Sequence, residues 1–137
     1  PFFSLLITSL AFASSSVKIC FAFTSFCGLN SFLYFIKMQQ VHKAHPELAG
    51  LVDAILTSEH FSKSKPDPEC FLKGMELLGG TPADTVIFED SLHGLAAARA
   101  TGAKVIGLAT TFPAERITSL CDMVIQDFSE LNISDLM

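Results

Sequence analysis

The first 36 residues of this 137-residue chain hold a single charged side chain, Lys18, and no acidic residue occurs before Glu47. All 14 carboxylates therefore lie in the remainder, and the net charge is −5. Nowhere is there a basic stripe or a nucleic-acid-binding motif, which excludes the electrostatic footprint of a nucleic-acid partner. The four cysteines, Cys20, Cys27, Cys70 and Cys121, form no C-x-x-C pair, so neither a zinc site nor a dithiol redox motif is expected. They read as reduced, mostly buried thiols of a cytoplasmic protein. Internal repeats are absent, and so is low-complexity sequence after residue 37.

What is present divides at about residue 37. Residues 1–36 carry eight of the 13 phenylalanines. Three readings of this segment stand side by side. Residues 1–15 have the apolar character of a signal peptide, without its initiator Met or basic start. Residues 19–36 approach the length of a membrane span but contain Gly28, Asn30 and Ser31. The third reading, which we favour, is an atypical segment produced by a wrong reading frame or a fragmentary gene. No membrane partner is expected. The length of 137 residues suggests one domain of ordinary size, with residues 37–137 as its regular part.

In that second part, short apolar runs alternate with helical periods. Residues 37 to about 44 have helical spacing. Runs near 53–57, 85–89, 104–108 and 122–125 read as buried strands. Asp67 and Pro68 suit a helix start. Phe71, Leu72, Met75, Leu77 and Leu78 would give that helix a broad apolar face, and Gly79-Gly80 would end it. Ser91 suits the cap of a second helix, with Gly102 past its end. A short helix follows Pro113. The alternation predicts an α/β fold with a doubly wound parallel sheet.

Two groups then fall at the carboxyl ends of strands: Lys65 in Ser64-Lys65-Pro66-Asp67-Pro68, and Glu89-Asp90 at the end of Val86–Asp90. Open α/β sheets bind ligands at that edge. A cation and two carboxylates there suit metal-assisted chemistry on a phosphate, with the carboxylates holding Mg²⁺ and the lysine neutralising the phosphoryl group. Each also has a plainer reading. The acidic pair can simply face a helix dipole, for about 0.5–1 kcal/mol, and a loop lysine is commonly solvated. Gly94, inside the second helix at a propensity cost of about 1 kcal/mol, points to close helix–strand packing or close ligand approach. His42, His45, His60 and His93 read as structural or solvated.

Lys65-Pro66-Asp67-Pro68-Glu69-Cys70-Phe71, then Val86-Ile87-Phe88-Glu89-Asp90-Ser91-Leu92-His93-Gly94, then Gly102 to Leu108, resemble the haloacid dehalogenase (HAD) superfamily, in particular its β-phosphoglucomutase-like sugar-phosphate phosphatases. The resemblance covers roughly residues 51–131. It implies a Rossmann-like core in which Lys65 binds phosphate, Asp90 is a Mg²⁺ ligand, Glu89 is its neighbour at the metal site, and the substrate is a small phosphorylated sugar. The departures from the family pattern are specific. The family's Asp-x-Asp-Gly motif, which supplies nucleophile and general acid/base, occurs nowhere in this sequence. The helical cap domain and the first strand are missing as well. The family's strand ending in a phosphate-binding Thr or Ser has a candidate remnant in Val17–Ser25, with Thr24 or Ser25 as the hydroxyl; the plainer reading is an apolar strand that happens to end in Thr-Ser. The expectation is the C-terminal part of a HAD-type phosphatase or phosphomutase core, truncated and inactive as it stands. The alternative is a degenerate, non-catalytic relative that binds a ligand or partner.

Overall fold

A computed structural model describes the backbone of residues 3–12, 15–24, 53–57 and 60–136, with side chains for Asp53, Leu56 and residues 60–136 except 133 and 135. In chain order the elements are β1 (Phe3–Phe12), β2 (Ser15–Thr24), β3 (Ala54–Thr57), α1 (Glu69–Leu77), β4 (Thr85–Glu89), α2 (Leu92–Thr101), β5 (Lys104–Leu108), α3 (Ala114–Ile117) and β6 (Met123–Ile125). The segments 37–44 and Ser25, together with His42 and His45, lie outside the described residues.

The sheet order is β3-β1-β2-β4-β5-β6. β2, β4, β5 and β6 pair in parallel. β1 is antiparallel to both its neighbours, so β3 regains the direction of β2 and β4. The four runs expected as strands are thus strands of one direction. β1 and β2 stand between β3 and β4, so the strand leading to Lys65 is not adjacent to the one ending in Glu89. β1 and β2 each have a neighbouring strand on both sides. No helix among the described residues is long and apolar enough to cross a membrane.

The pleat divides the core. Val86, Phe88, Ile106, Leu108 and Ile125 form one cluster with Leu136. Ile87 and Val105 point the other way, into a cluster with Phe71 and Met75 of α1, Leu95, Ala97 and Ala98 of α2, and Ile117 of α3. The described α-helices therefore share one face, and the 3-10 turns at Phe128–Glu130 and Ile133–Leu136 flank the other. Each fully buried large side chain contributes about 1.5–3 kcal/mol, so these two clusters outweigh helix propensity in holding the elements together.

Local signals behave largely as the sequence suggests. Ser91 caps α2 by accepting from Gly94 N at 3.1 Å, and Gly102 ends it in the left-handed region at φ 79°. Two details differ. The cap position of α1 is Pro68, one residue beyond Asp67, although Asp67 Oδ1 still accepts from Glu69 N at 3.0 Å. The apolar face of α1 is narrower than its composition: Phe71 and Met75 are buried, whereas Leu72 and Leu77 are exposed. Tertiary packing selects only the stripe that meets the sheet.

Candidate active site at the carboxyl edge of the sheet

The parallel register levels Ala22 of β2 with Glu89 of β4, and Glu89 with Gly107 of β5. Thr24, Glu89 and Leu108 thus end their strands at one edge. Thr57 ends β3 there too, opposite Ser4 of β1, which in turn lies opposite Phe23. The loop that follows β3 carries Lys65 back over this edge.

Lys65 Nζ lies 2.5 Å from Glu89 Oε2, with side-chain exposures of 5 % and 0 %. It is Glu89, not Asp90, that takes the ammonium. The reason is parity. Glu89 shares the pleat face of Ile87, which packs on α1 and α2, and that face is dry. The other Glu89 oxygen accepts from Ser91 N at 3.0 Å and Ser91 Oγ at 2.6 Å. Ser91 Oγ serves both sides, donating to Glu89 and accepting from Gly94 N. Burial pushes the Glu89 carboxyl above its usual range, against the opposing pull of Lys65 and Ser91. The Phe71 ring centroid lies 5.1 Å from Lys65 Nζ, a distance at which an ammonium is attracted to the ring face.

Asp90, one residue past the strand, is half-buried and accepts a hydrogen bond from Thr111 Oγ1 at 2.6 Å. Thr111 follows β5 at the same edge. The edge rule that singled out Glu89-Asp90 applies equally to Thr110-Thr111 after Leu108, so this contact had a signal in the sequence. Cys70 is fully buried next to the Lys65 loop, and its thiol is pushed up to about 11 by that burial.

Of the residues singled out from sequence, Lys65, Glu89 and Asp90 gather at one edge. The backbone of Thr24 reaches it as the last residue of β2, and Ser25 lies outside the described residues. His60 precedes the lysine loop, where its carbonyl accepts from Lys73 Nζ at 2.7 Å. Sequence reasoning assigned no role to Glu69, whose carboxylate binds the start of the lysine loop.

Among the described residues no group of three or more His, Cys, Asp or Glu side chains could hold a metal ion. Mg²⁺ commonly needs fewer, taking one or two carboxylates together with waters and substrate phosphate. Asp90, a hard oxygen donor within reach of solvent, fits that coordination. Glu89, with both oxygens engaged by Lys65 and Ser91, fits a supporting position behind it.

A Rossmann-like α/β core with a lysine–carboxylate pair at the carboxyl ends of its parallel strands defines the class. Residues 30–108 match the family model described as haloacid dehalogenase-like hydrolase, and the chain belongs to that family. It is 40% identical over 85 residues to β-phosphoglucomutase of Mycobacterium bovis, covering 58% of this chain and 32% of that protein. It is 33% identical over 81 residues to validoxylamine A 7′-phosphate phosphatase of Streptomyces hygroscopicus subsp. limoneus, covering 59% and 38%. A HAD hydrolase, family IA, variant 3, from Entamoeba histolytica superposes with a TM-score of 0.54 at 28% identity, covering 58% of this chain and 36% of that one. The match thus spans roughly a third of each relative's length.

Proposed function

We propose that the carboxyl edge of this sheet is a Mg²⁺-assisted binding site for the phosphate of a small phosphorylated sugar. The observation that carries this reading is the Lys65 ammonium, held almost out of water against Glu89 at the end of β4, with Asp90 the next residue in the chain. The related phosphomutase and phosphatase, whose names specify phosphorylated substrates, support it. In this reading Lys65 meets the phosphoryl oxygens, Asp90 holds the cation with waters completing its shell, and Glu89 keeps Lys65 extended. The Thr24 or Ser25 hydroxyl is a further phosphate donor. Bound Mg²⁺ would supply charge neutralisation at the phosphoryl group.

Turnover needs more than neutral charge. A carboxylate nucleophile splits phosphoryl transfer into two steps, and a proton donor must serve the leaving oxygen. The sequence has no Asp-x-Asp. β2, which flanks β4, ends in Ala22-Phe23-Thr24 without a carboxylate. We therefore expect the 137-residue polypeptide to bind Mg²⁺ and phosphate and to release none from sugar phosphates. The same observation favours a second reading, in which the edge binds its ligand without chemistry.

The test combines titration calorimetry with a phosphate-release assay. Phosphate should bind in the presence of Mg²⁺, and Asp90→Asn should weaken the Mg²⁺ affinity. Equal Mg²⁺ affinity in both proteins would count against Asp90 as a ligand. Mg²⁺-dependent phosphate release that disappears in Asp90→Ala would mean an unrecognised nucleophile, with Ser25, Thr24 and His60 the first to test.

A further inference from the structure

Lys65 belongs to a loop whose two ends are tied by one carboxylate. Glu69, at the start of α1, accepts from Ser62 N at 3.1 Å on either oxygen and from Ser62 Oγ at 2.8 Å. It also accepts from Lys63 N at 2.6 Å. From the helix side Lys73 Nζ approaches the same carboxylate to 2.8 Å and extends the tie to the His60 carbonyl. Inside the closure, Asp67 N donates to the Ser64 carbonyl at 3.1 Å, and Lys63 Nζ lies 3.3 Å from Asp67 Oδ2. Lys65 is bracketed on both sides. None of Ser62, Lys63 and Glu69 belongs to either hydrophobic cluster.

We propose that Glu69 is the positioning residue for Lys65. By closing the 62–69 loop it presets the ammonium at the end of β4. The proposal rests on the reading of Lys65 as the phosphate-binding group. A lysine stem is long and flexible, and its ordering entropy otherwise falls due when the ligand arrives. Fixing the backbone beforehand removes that part of the cost of binding. Charge-assisted bonds from backbone amides to a carboxylate are among the stronger ones available for this purpose. A neutral glutamine keeps an oxygen for the two amides, and its NH₂ can donate to Ser62 Oγ, so Glu69→Gln preserves much of the tie.

The experiment uses the full 137-residue chain, uniformly ¹⁵N-labelled, with inorganic phosphate plus Mg²⁺ as probe. In Glu69→Ala, amide exchange at Ser62 and Lys63 should rise and the Lys65 ammonium signal should move to that of solvated lysines. Phosphate binding should weaken by about tenfold, while the amides of Ile87 and Val105 keep their protection. Glu69→Gln should restore most of the wild-type signal. Ser62→Ala, which removes one donor and leaves α1 untouched, should give an intermediate shift in a folded protein. An unmoved Lys65 signal in Glu69→Ala and Ser62→Ala would overturn the proposal. Loss of protection at Ile87 and Val105 as large as at Ser62 would also overturn it, by making the role structural. The positioning effect is read before phosphate is added. A wild-type Lys65 signal indifferent to Mg²⁺ and phosphate would instead refute the phosphate reading itself.

Discussion

The carboxylate of Glu89 occupies the space that a side chain on Gly94 would need. A Cβ at Gly94 would stand 2.1 Å from Glu89 Cδ and 2.3 and 2.4 Å from its two oxygens. Close approach of the strand-end carboxylate to the first turn of α2, not helix propensity, explains the glycine. Gly94→Ala should therefore destabilise the chain by about 2 kcal/mol, because the displacement of a packed neighbour outweighs the ~1 kcal/mol gained in propensity. Urea denaturation measures it. A variant as stable as the wild type would mean that this contact does not exist.

The buried pair predicts strong coupling. Lys65→Met leaves the fully buried Glu89 without its cation and should cost about 3 kcal/mol near pH 7. The double variant Lys65→Met/Glu89→Gln should cost less than the sum of the single changes, with a coupling above about 1 kcal/mol. Additive losses would show that the two side chains do not interact. The penalty of Lys65→Met should also grow as pH rises. Burial already lifts the Glu89 carboxyl, and removal of Lys65 lifts it further. The variant's folded state then keeps a proton that the unfolded chain sheds above about pH 4.3. The stability linked to that proton is lost as pH climbs through the folded value.

Glu69 gives the opposite pH dependence. Lys73 and the amides and hydroxyl at Ser62 and Lys63 hold its carboxyl down to about 2. A depressed carboxyl contributes stability above its unfolded value and loses it as pH falls toward the folded one. Thermal stability should decline between about pH 4.3 and 2, and Glu69→Gln should flatten that decline. A wild-type curve that Glu69→Gln leaves unchanged would remove Glu69 from the acid response.

The elements that the sequence announced were those set by neighbours along the chain. Ser91 and Gly102 bound α2 because a hydroxyl can accept from an amide three residues on and a glycine tolerates positive φ. The short apolar runs at 85–89 and 104–108 are strands because both their faces are covered. The runs at Phe3–Phe12 and Ser15–Thr24 are harder to read. A nearly uncharged apolar run has no period that separates an interior strand from a leader or a membrane segment, and the pairing of β1 with β3 and of β2 with β4 is a property of the folded sheet.

Lys65, Glu89 and Asp90 could be brought to one edge from sequence alone, since a parallel crossover returns strand ends to the same side. Which carboxylate receives the lysine could not. That choice follows from the pleat: Glu89 falls on the face that packs against α1 and α2, so its charge is desolvated and needs a cation, while Asp90, past the last strand residue, faces the loop that bears Thr111. The helix face that α1 buries and the tie from Glu69 to Ser62 were likewise decided only when the chain closed on itself. Capping and strand propensity act between residues close in sequence. Desolvation and ion pairing depend on which surfaces meet, and that is a property of the folded sheet.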